Sequence, residues 1–172
     1  GFAMNRRTPD AKGLSFNNHP YPAGPVDHQV PVLQVTDADG KELALAFGYS
    51  CHNTTLGLQQ FNGDYAGYAQ QAVEVAHPGA VALFVNGCSG DQNPYPRGKV
   101  EMAETHGRSL ASAVDAALAT NLIEITGRLR AAYEEIPLAY SPVPTAVQLE
   151  EKQKSPNKLD ASHASRLMDV LK

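Results

Sequence analysis

Two short apolar runs bracket a helical repeat, and that order limits the fold more than any other feature of the 172-residue sequence. Lys41–Tyr49, with Leu43–Phe47 at its centre, reads as a strand. From Asp64 onward, Tyr65, Tyr68, Ala69, Ala72, Val73 and Ala76 recur at the 3.6-residue spacing of a helix, with Asp64 as its expected N-cap. His77-Pro78-Gly79 stops that helix. Ala80–Val85 then reads as a second, buried strand. If the two strands lie parallel, the loops that follow them leave the sheet on one side. The expected fold class is α/β, a mostly parallel or mixed sheet flanked by helices.

The flanking segments add to this unit. Val32–Thr36 alternates, and Asp37-Ala38-Asp39-Gly40 supplies a tight turn, so Val32–Tyr49 is expected to form a hairpin. Residues 1–31 carry five prolines and read as loop. Asn86–Gly98 reads as a second loop, rich in Gly, Pro and Asn. Lys99–Thr120 reads as a long helix with Met102, His106, Leu110, Ala113, Val114 and Ala117 on one side. Leu122–Ala132 reads as a further strand. Gln148–Asn157 is charged and polar, an exposed linker or frayed helix. Leu159–Lys172 reads as a final amphipathic helix capped by Asp160 or Ser162. The expected division is an α/β domain over 1–132 and a linker with a helical segment over 133–172. The abrupt start and the end inside a helix suggest a piece of a longer polypeptide.

Composition excludes some functions. Fourteen Lys and Arg against 18 Asp and Glu give a formal net charge of −4, which speaks against nucleic-acid binding through a basic surface. The apolar runs are too short for a transmembrane segment, and no signal peptide is visible. Cys51 and Cys88 form neither a disulfide framework nor a Cys-x-x-Cys metal motif. Two buried free thiols are the expectation; a disulfide between the two strand ends is the alternative.

The chemistry-bearing residues collect in the two loops. His52 stands just beyond the first strand, beside hydroxyl and amide side chains. A neutral imidazole there can bind a metal or move a proton, or serve as a hydrogen-bonded structural group. In Asn86-Gly87-Cys88-Ser89-Gly90-Asp91-Gln92-Asn93-Pro94, the glycines permit close backbone approach, and Asp91 can orient a histidine, bind a cation or cap a turn. The loop is neither a phosphate loop nor a Gly-x-Ser-x-Gly elbow, which leaves Ser89 a weak nucleophile candidate. Arg6 and Arg7 can clamp a carboxylate or an amide oxygen. His106 reads as a satisfied histidine on a helix. His19, His28, His77 and His163 have no metal-selecting spacing.

Taken together, Asn5-Arg6-Arg7, Cys51-His52-Asn53-Thr54, Gly63-Asp64-Tyr65-Ala66-Gly67-Tyr68-Ala69, Gly90-Asp91-Gln92-Asn93-Pro94 and His106-Gly107-Arg108 resemble the catalytic domain of the neutral/alkaline ceramidase family. That family shows Asn-Arg-Ser-Pro, His-Gly-Thr, Ser-Gly-Asp-x-x-Gly-Tyr-Ala and Gly-Asp-Val-Ser-Pro-Asn in the same order. The likeness spans about residues 5–120. It implies a fragment of a larger catalytic domain, from a zinc-dependent amidohydrolase that cleaves an N-acyl bond of a lipid-like substrate in a secreted or periplasmic setting. It maps a zinc-binding histidine onto His52 and a substrate-contacting arginine onto Arg6, with Asp91 and Asn93 in the catalytic loop.

Two departures qualify the resemblance. The family serine of the catalytic loop is Asn93 here, and the glycine after the zinc histidine is Asn53. Asparagine cannot attack as a hydroxyl does, although its amide can donate to an oxyanion. The resemblance also implies that the other zinc ligands, a histidine, a glutamate and a tyrosine, lie outside these residues. The expectation is therefore that this chain alone holds zinc weakly or not at all and has no hydrolase activity. The alternatives are a ceramidase-like binding or structural domain without catalysis, and an unrelated α/β hydrolase using Ser89 or Cys88.

Overall fold

The computed structural model describes residues 1–11 and 16–170. They fall into two compact units, Gly1–Ile125 and the segment from Thr126 on.

The first unit is built on a mixed three-stranded sheet of β4 (Val32–Thr36), β5 (Glu42–Tyr49) and β6 (Val81–Asn86), in the order β4-β5-β6. The expected hairpin is present, with β4 antiparallel to β5. Asp37 makes its turn, accepting from the backbone N–H groups of Asp39 and Lys41, and Gly40 takes the positive φ of 82° that the turn requires. β6 runs parallel to β5, with Phe47 beside Phe84 and Tyr49 beside Asn86. Between them crosses α1 (Asp64–Ala76), and α2 (Val100–Leu118) packs on α1. The chain thus has the α/β class and the parallel pair that its apolar pattern implies.

Alternation along β5 decides the interior. Leu45, Phe47 and Tyr49 point to one face and are buried, as is Cys51 just beyond. They meet Tyr65, Ala69 and Val73 of α1 and Leu110, Ala111 and Val114 of α2. The helices approach closely at Gly107, where a Cβ would lie 2.8 Å from the Tyr65 carbonyl oxygen and 2.9 Å from the Ala69 nitrogen. His106 is buried as expected, stacked on Phe2 with ring centroids 4.4 Å apart and with Nε2 2.7 Å from the Pro96 carbonyl.

Several expectations need correction. The stretch Ala80–Val85 is not buried on both sides: Ala82 lies in the core, but Val81, Leu83 and Val85 are exposed, because the helices cover one face of the sheet only. Residues 1–31 are not all loop. β1 (Ala3–Asn5) pairs with β7 (Gln92–Pro94), which lies inside the expected 86–98 loop, and β2 (Arg7–Pro9) pairs with β3 (Phe16–Asn18). These three-residue ribbons are too short to show a period in the sequence. Leu122–Ala132 has no regular structure, and Ile123, Ile125 and Leu129 are exposed. It alternates like a strand but pairs with no strand among the described residues. Asp64 does not cap the helix. It is the first helical residue, at φ 50°, and its carboxylate accepts from the Tyr65 N–H and also reaches back to the Thr55 and Leu56 N–H groups. Cys51 is buried and Cys88 exposed, and both are free, so there is no disulfide.

The second unit holds α3 (Ala146–Gln153) and α4 (Lys158–Val170), which pack together through Leu149 and Ala164. The expected linker over 148–157 is largely α3. Its start is a capping box: Thr145 Oγ1 accepts from the Gln148 N–H, and Gln148 Oε1 accepts from the Thr145 N–H. At α4 the capping side chain is Asn157, whose Oδ1 accepts from the Leu159 N–H, rather than Asp160 or Ser162.

Candidate functional site

Because β5 and β6 are parallel, the loops after both strands emerge at one sheet edge. The first carries His52 and the second Ser89, Gly90 and Asp91. A backbone hydrogen bond of 3.0 Å, from the His52 N–H to the Gln92 carbonyl, ties the loops together. The β1–β7 ribbon brings a third segment to the same edge, with Asn5 opposite Gln92, and the Arg6 N–H donates to the Asp91 carbonyl at 2.8 Å.

Arg6 and His52 meet there directly, with Nη2 2.8 Å from His52 Nε2. A guanidinium can only donate, so Nε2 carries the lone pair and the ring proton sits on Nδ1. Nδ1 lies 3.0 Å from Ser89 Oγ and donates to it. Asn86 Nδ2 donates to the same oxygen at 3.2 Å. His52 is therefore held from both sides as a neutral ring. Burial, and then the charges of Arg6, Arg7 and Arg97, keep its pKa below the usual histidine value.

The arginines converge on one more group. The Gly90 carbonyl oxygen accepts from Arg6 Nη2 at 3.0 Å, Arg6 Nε at 3.3 Å and Arg7 Nη2 at 2.8 Å. Asp91 turns its carboxylate toward Asn5, whose Nδ2 stands 3.2 Å from Oδ2. Asn5 also donates to the Pro25 carbonyl and accepts from the Arg7 N–H, so this buried amide joins three segments. Asn93 is buried in β7 and accepts at Oδ1 from Thr54 Oγ1 at 3.3 Å. The structure thus brings Arg6 and His52 into contact, places Asp91 one backbone link away, and sets Asn93 behind the His52 loop.

Asp64 holds that loop from below. Its Oδ1 accepts from the Thr55 and Tyr65 N–H groups and its Oδ2 from the Leu56 N–H. Tyr65 adds an O–H bond of 2.6 Å to the Cys51 carbonyl. Burial pushes the Cys51 thiol up to about 12, with the Asp64 charge adding to it, so this sulfur is an inert core group. Sequence reasoning missed Asn5, Ser89 and Asp64 as the groups that orient the site. The signal for Ser89 was its place at the end of a parallel strand. Asn5 stood in the Asn5-Arg6-Arg7 segment of the resemblance, but nothing marked its partner, a carboxylate 86 residues away.

Zinc can be tested against these residues. Among the described residues no group of three His, Cys, Asp or Glu side chains could hold a metal ion. The one histidine at the edge has its Nε2 lone pair taken by Arg6. By themselves, these residues do not fit a four-coordinate zinc site.

A sheet with a parallel strand pair, a crossover helix and polar loops at the strand ends defines an α/β unit of the kind that carries enzyme sites. Solved structures narrow the class. A neutral ceramidase from Pseudomonas aeruginosa matches 67% of this chain with a TM-score of 0.51 and 21% identity. A ceramidase complexed with C2 matches the same share at a TM-score of 0.52 and 21% identity. The chain spans 20% of the length of each. It therefore has the fold of part of a neutral ceramidase. No family model matches the sequence, and no curated protein does.

Proposed function

We propose that this chain supplies one corner of the active site of a ceramidase-like amidohydrolase, which cleaves the N-acyl bond of a lipid-like substrate. The observation that supports this best is the 2.8 Å contact between Arg6 and His52 at the edge beyond two parallel strands. In this reading Arg6 binds the substrate amide oxygen. The neutral His52 ring, once Arg6 has turned to the substrate, offers its Nε2 lone pair. Asn93 keeps its Nδ2 donors for a developing oxyanion. Asp91, through Asn5, holds the loop in place. A groove of about 510 Å³ starts beside the same strand ends, at Ser50 and Gly87, and runs along Pro31, Leu33, Ala46 and Val85. Its apolar walls suit an acyl chain. A secreted or periplasmic location belongs to the same proposal; among the described residues no helix is long and apolar enough to cross a membrane.

Zinc enters this proposal only through ligands beyond the residues described, with His52 as the donor from this chain. A second reading is a ceramidase-like binding or structural domain without turnover. It is favoured by the burial of Asn93 and by the hydrogen bond that occupies His52 Nε2. Fatty-acid release from a panel of N-acyl amides by the whole polypeptide, with and without chelator, separates the two. Hydrolysis that falls at least tenfold in kcat/KM in both Arg6→Ala and His52→Ala is the expected result, about 1.4 kcal/mol of lost transition-state binding. No hydrolysis by the wild type supports the second reading.

A further inference from the structure

The guanidinium groups at this edge are not balanced by carboxylates. Arg6 and Arg7 are adjacent in sequence, and both donate to the single carbonyl oxygen of Gly90. That oxygen has two lone pairs and receives three N–H groups, so it is saturated. The other partner of Arg6 is the neutral His52 ring. Arg97 lies close enough for its charge to act on His52 as well. Asp91, the acid next to Gly90, turns its Oδ2 to Asn5. Among the described residues no ion pair joins Arg6, Arg7 or Arg97 to an acidic side chain; the one arginine ion pair is Arg108 with Glu104, on α2.

Two like charges held on one neutral acceptor repel each other, and an anion between them removes that repulsion. Arg6 spends Nε and both Nη2 hydrogens and keeps only Nη1, whereas Arg7 spends a single Nη2 hydrogen and keeps a planar set of donors that matches a carboxylate or phosphate. Arg7 is solvent-exposed and Arg6 and His52 are half-buried, so the site is open to a ligand from solution.

We infer that the Arg6–Arg7–Gly90 edge is an oxyanion-binding subsite that selects ligands carrying a carboxylate or phosphate next to the amide. Arg6 belongs to the amide-binding corner already proposed. Arg7 is the specificity residue, and the inference rests on the proposed site while extending it to the charge of the head group. The preferred ligand is then an N-acyl amide with an anionic head, rather than a neutral one.

The test compares N-lauroylglycine, N-lauroylethanolamine and inorganic phosphate as ligands of the whole polypeptide, by calorimetry at two salt concentrations. N-Lauroylglycine is expected to bind about tenfold more tightly than N-lauroylethanolamine, the scale of one hydrogen bond to a charged group. Arg7→Met should shrink that ratio several-fold, and Arg7→Lys should recover part of it. Phosphate competing with N-lauroylglycine marks a general oxyanion site, and failure to compete marks a carboxylate site; either agrees with the inference. Equal affinities for the two amides, or a preference that survives Arg7→Met, overturns it. Binding is read without turnover. A polypeptide that binds the anionic amide but hydrolyses nothing keeps this inference and loses the amidase reading; hydrolysis without charge preference does the reverse.

Discussion

The space between the sheet and its helices and the polar edge beyond the strand ends are built by opposite means. In the interior, Leu45, Phe47, Tyr65, Val73, Leu110 and Val114 meet through apolar surface from segments that each show a clear period. At the edge, Asn5, Arg6, His52, Ser89 and Asp91 meet through directional hydrogen bonds from three separate segments. Apolar packing sets where the strands end. Hydrogen bonding sets where the side chains beyond them point. A substitution in the first region should change stability, and one in the second should change recognition.

The largest effect is expected where the interior has no slack. Gly107→Ala drives a methyl group into backbone atoms of α1 that cannot rotate away. A loss of about 3 kcal/mol is expected, read as a lower urea midpoint at unchanged slope. A midpoint equal to wild type means that the helices can separate freely, and the contrast between the regions weakens.

Asp64 joins the two regions, and it comes next. Asp64→Ala leaves the Thr55 and Leu56 N–H groups without their carboxylate and should destabilise by about 2 kcal/mol. Amide exchange at Thr55 and Leu56 should accelerate more than exchange within α2. Asp64→Asn keeps an acceptor and tolerates the positive φ, so it should recover part of the loss. If exchange speeds up equally in both places, Asp64 supports the core rather than the His52 loop.

The smallest effect is a pH dependence at the far end of the sheet from the site. His77 bridges Glu42 of β5 at 2.8 Å and Asp115 of α2 at 3.2 Å. Burial opposes its charge, but the hydrogen bonds and charges of the two carboxylates outweigh that, and its pKa lies above the ordinary 6.5. A histidine whose folded pKa is raised adds stability that is complete below 6.5 and is lost as pH climbs through the folded value. The difference in urea midpoint between wild type and His77→Gln should shrink over that interval. A difference that is flat or grows with pH shows that the bridge is not charged. Arg7→Met, at the edge, should leave the midpoint within about 0.5 kcal/mol of wild type.

Much of the frame was legible because its signals are local and periodic. The β4–β5 hairpin could be read from an alternating run and an Asp-Gly turn, and α1 and α2 from a 3.6-residue repeat. The β1–β7 ribbon could not, since three-residue strands carry no period and their pairing spans most of the first unit. Ala80–Val85 misled for a different reason. Its apolar residues mark both faces of the strand, while within the first unit α1 and α2 cover only one among the described residues. Leu122–Ala132 has a strand's alternation, yet a strand is defined by its partner.

The amino-acid sequence by itself determined the α/β order and, given a parallel pair, a shared edge for the His52 and Asp91 loops, because those follow from side-chain period and chain connectivity; the structure shows the pair to be parallel. Only the tertiary structure decided that Asp91 faces Asn5 rather than His52, that Arg6 caps the imidazole and fixes its tautomer, and that Ser89 accepts from the other ring nitrogen. Each of those contacts joins residues dozens of positions apart through a single directional bond, and nothing in the local pattern of either partner encodes the other.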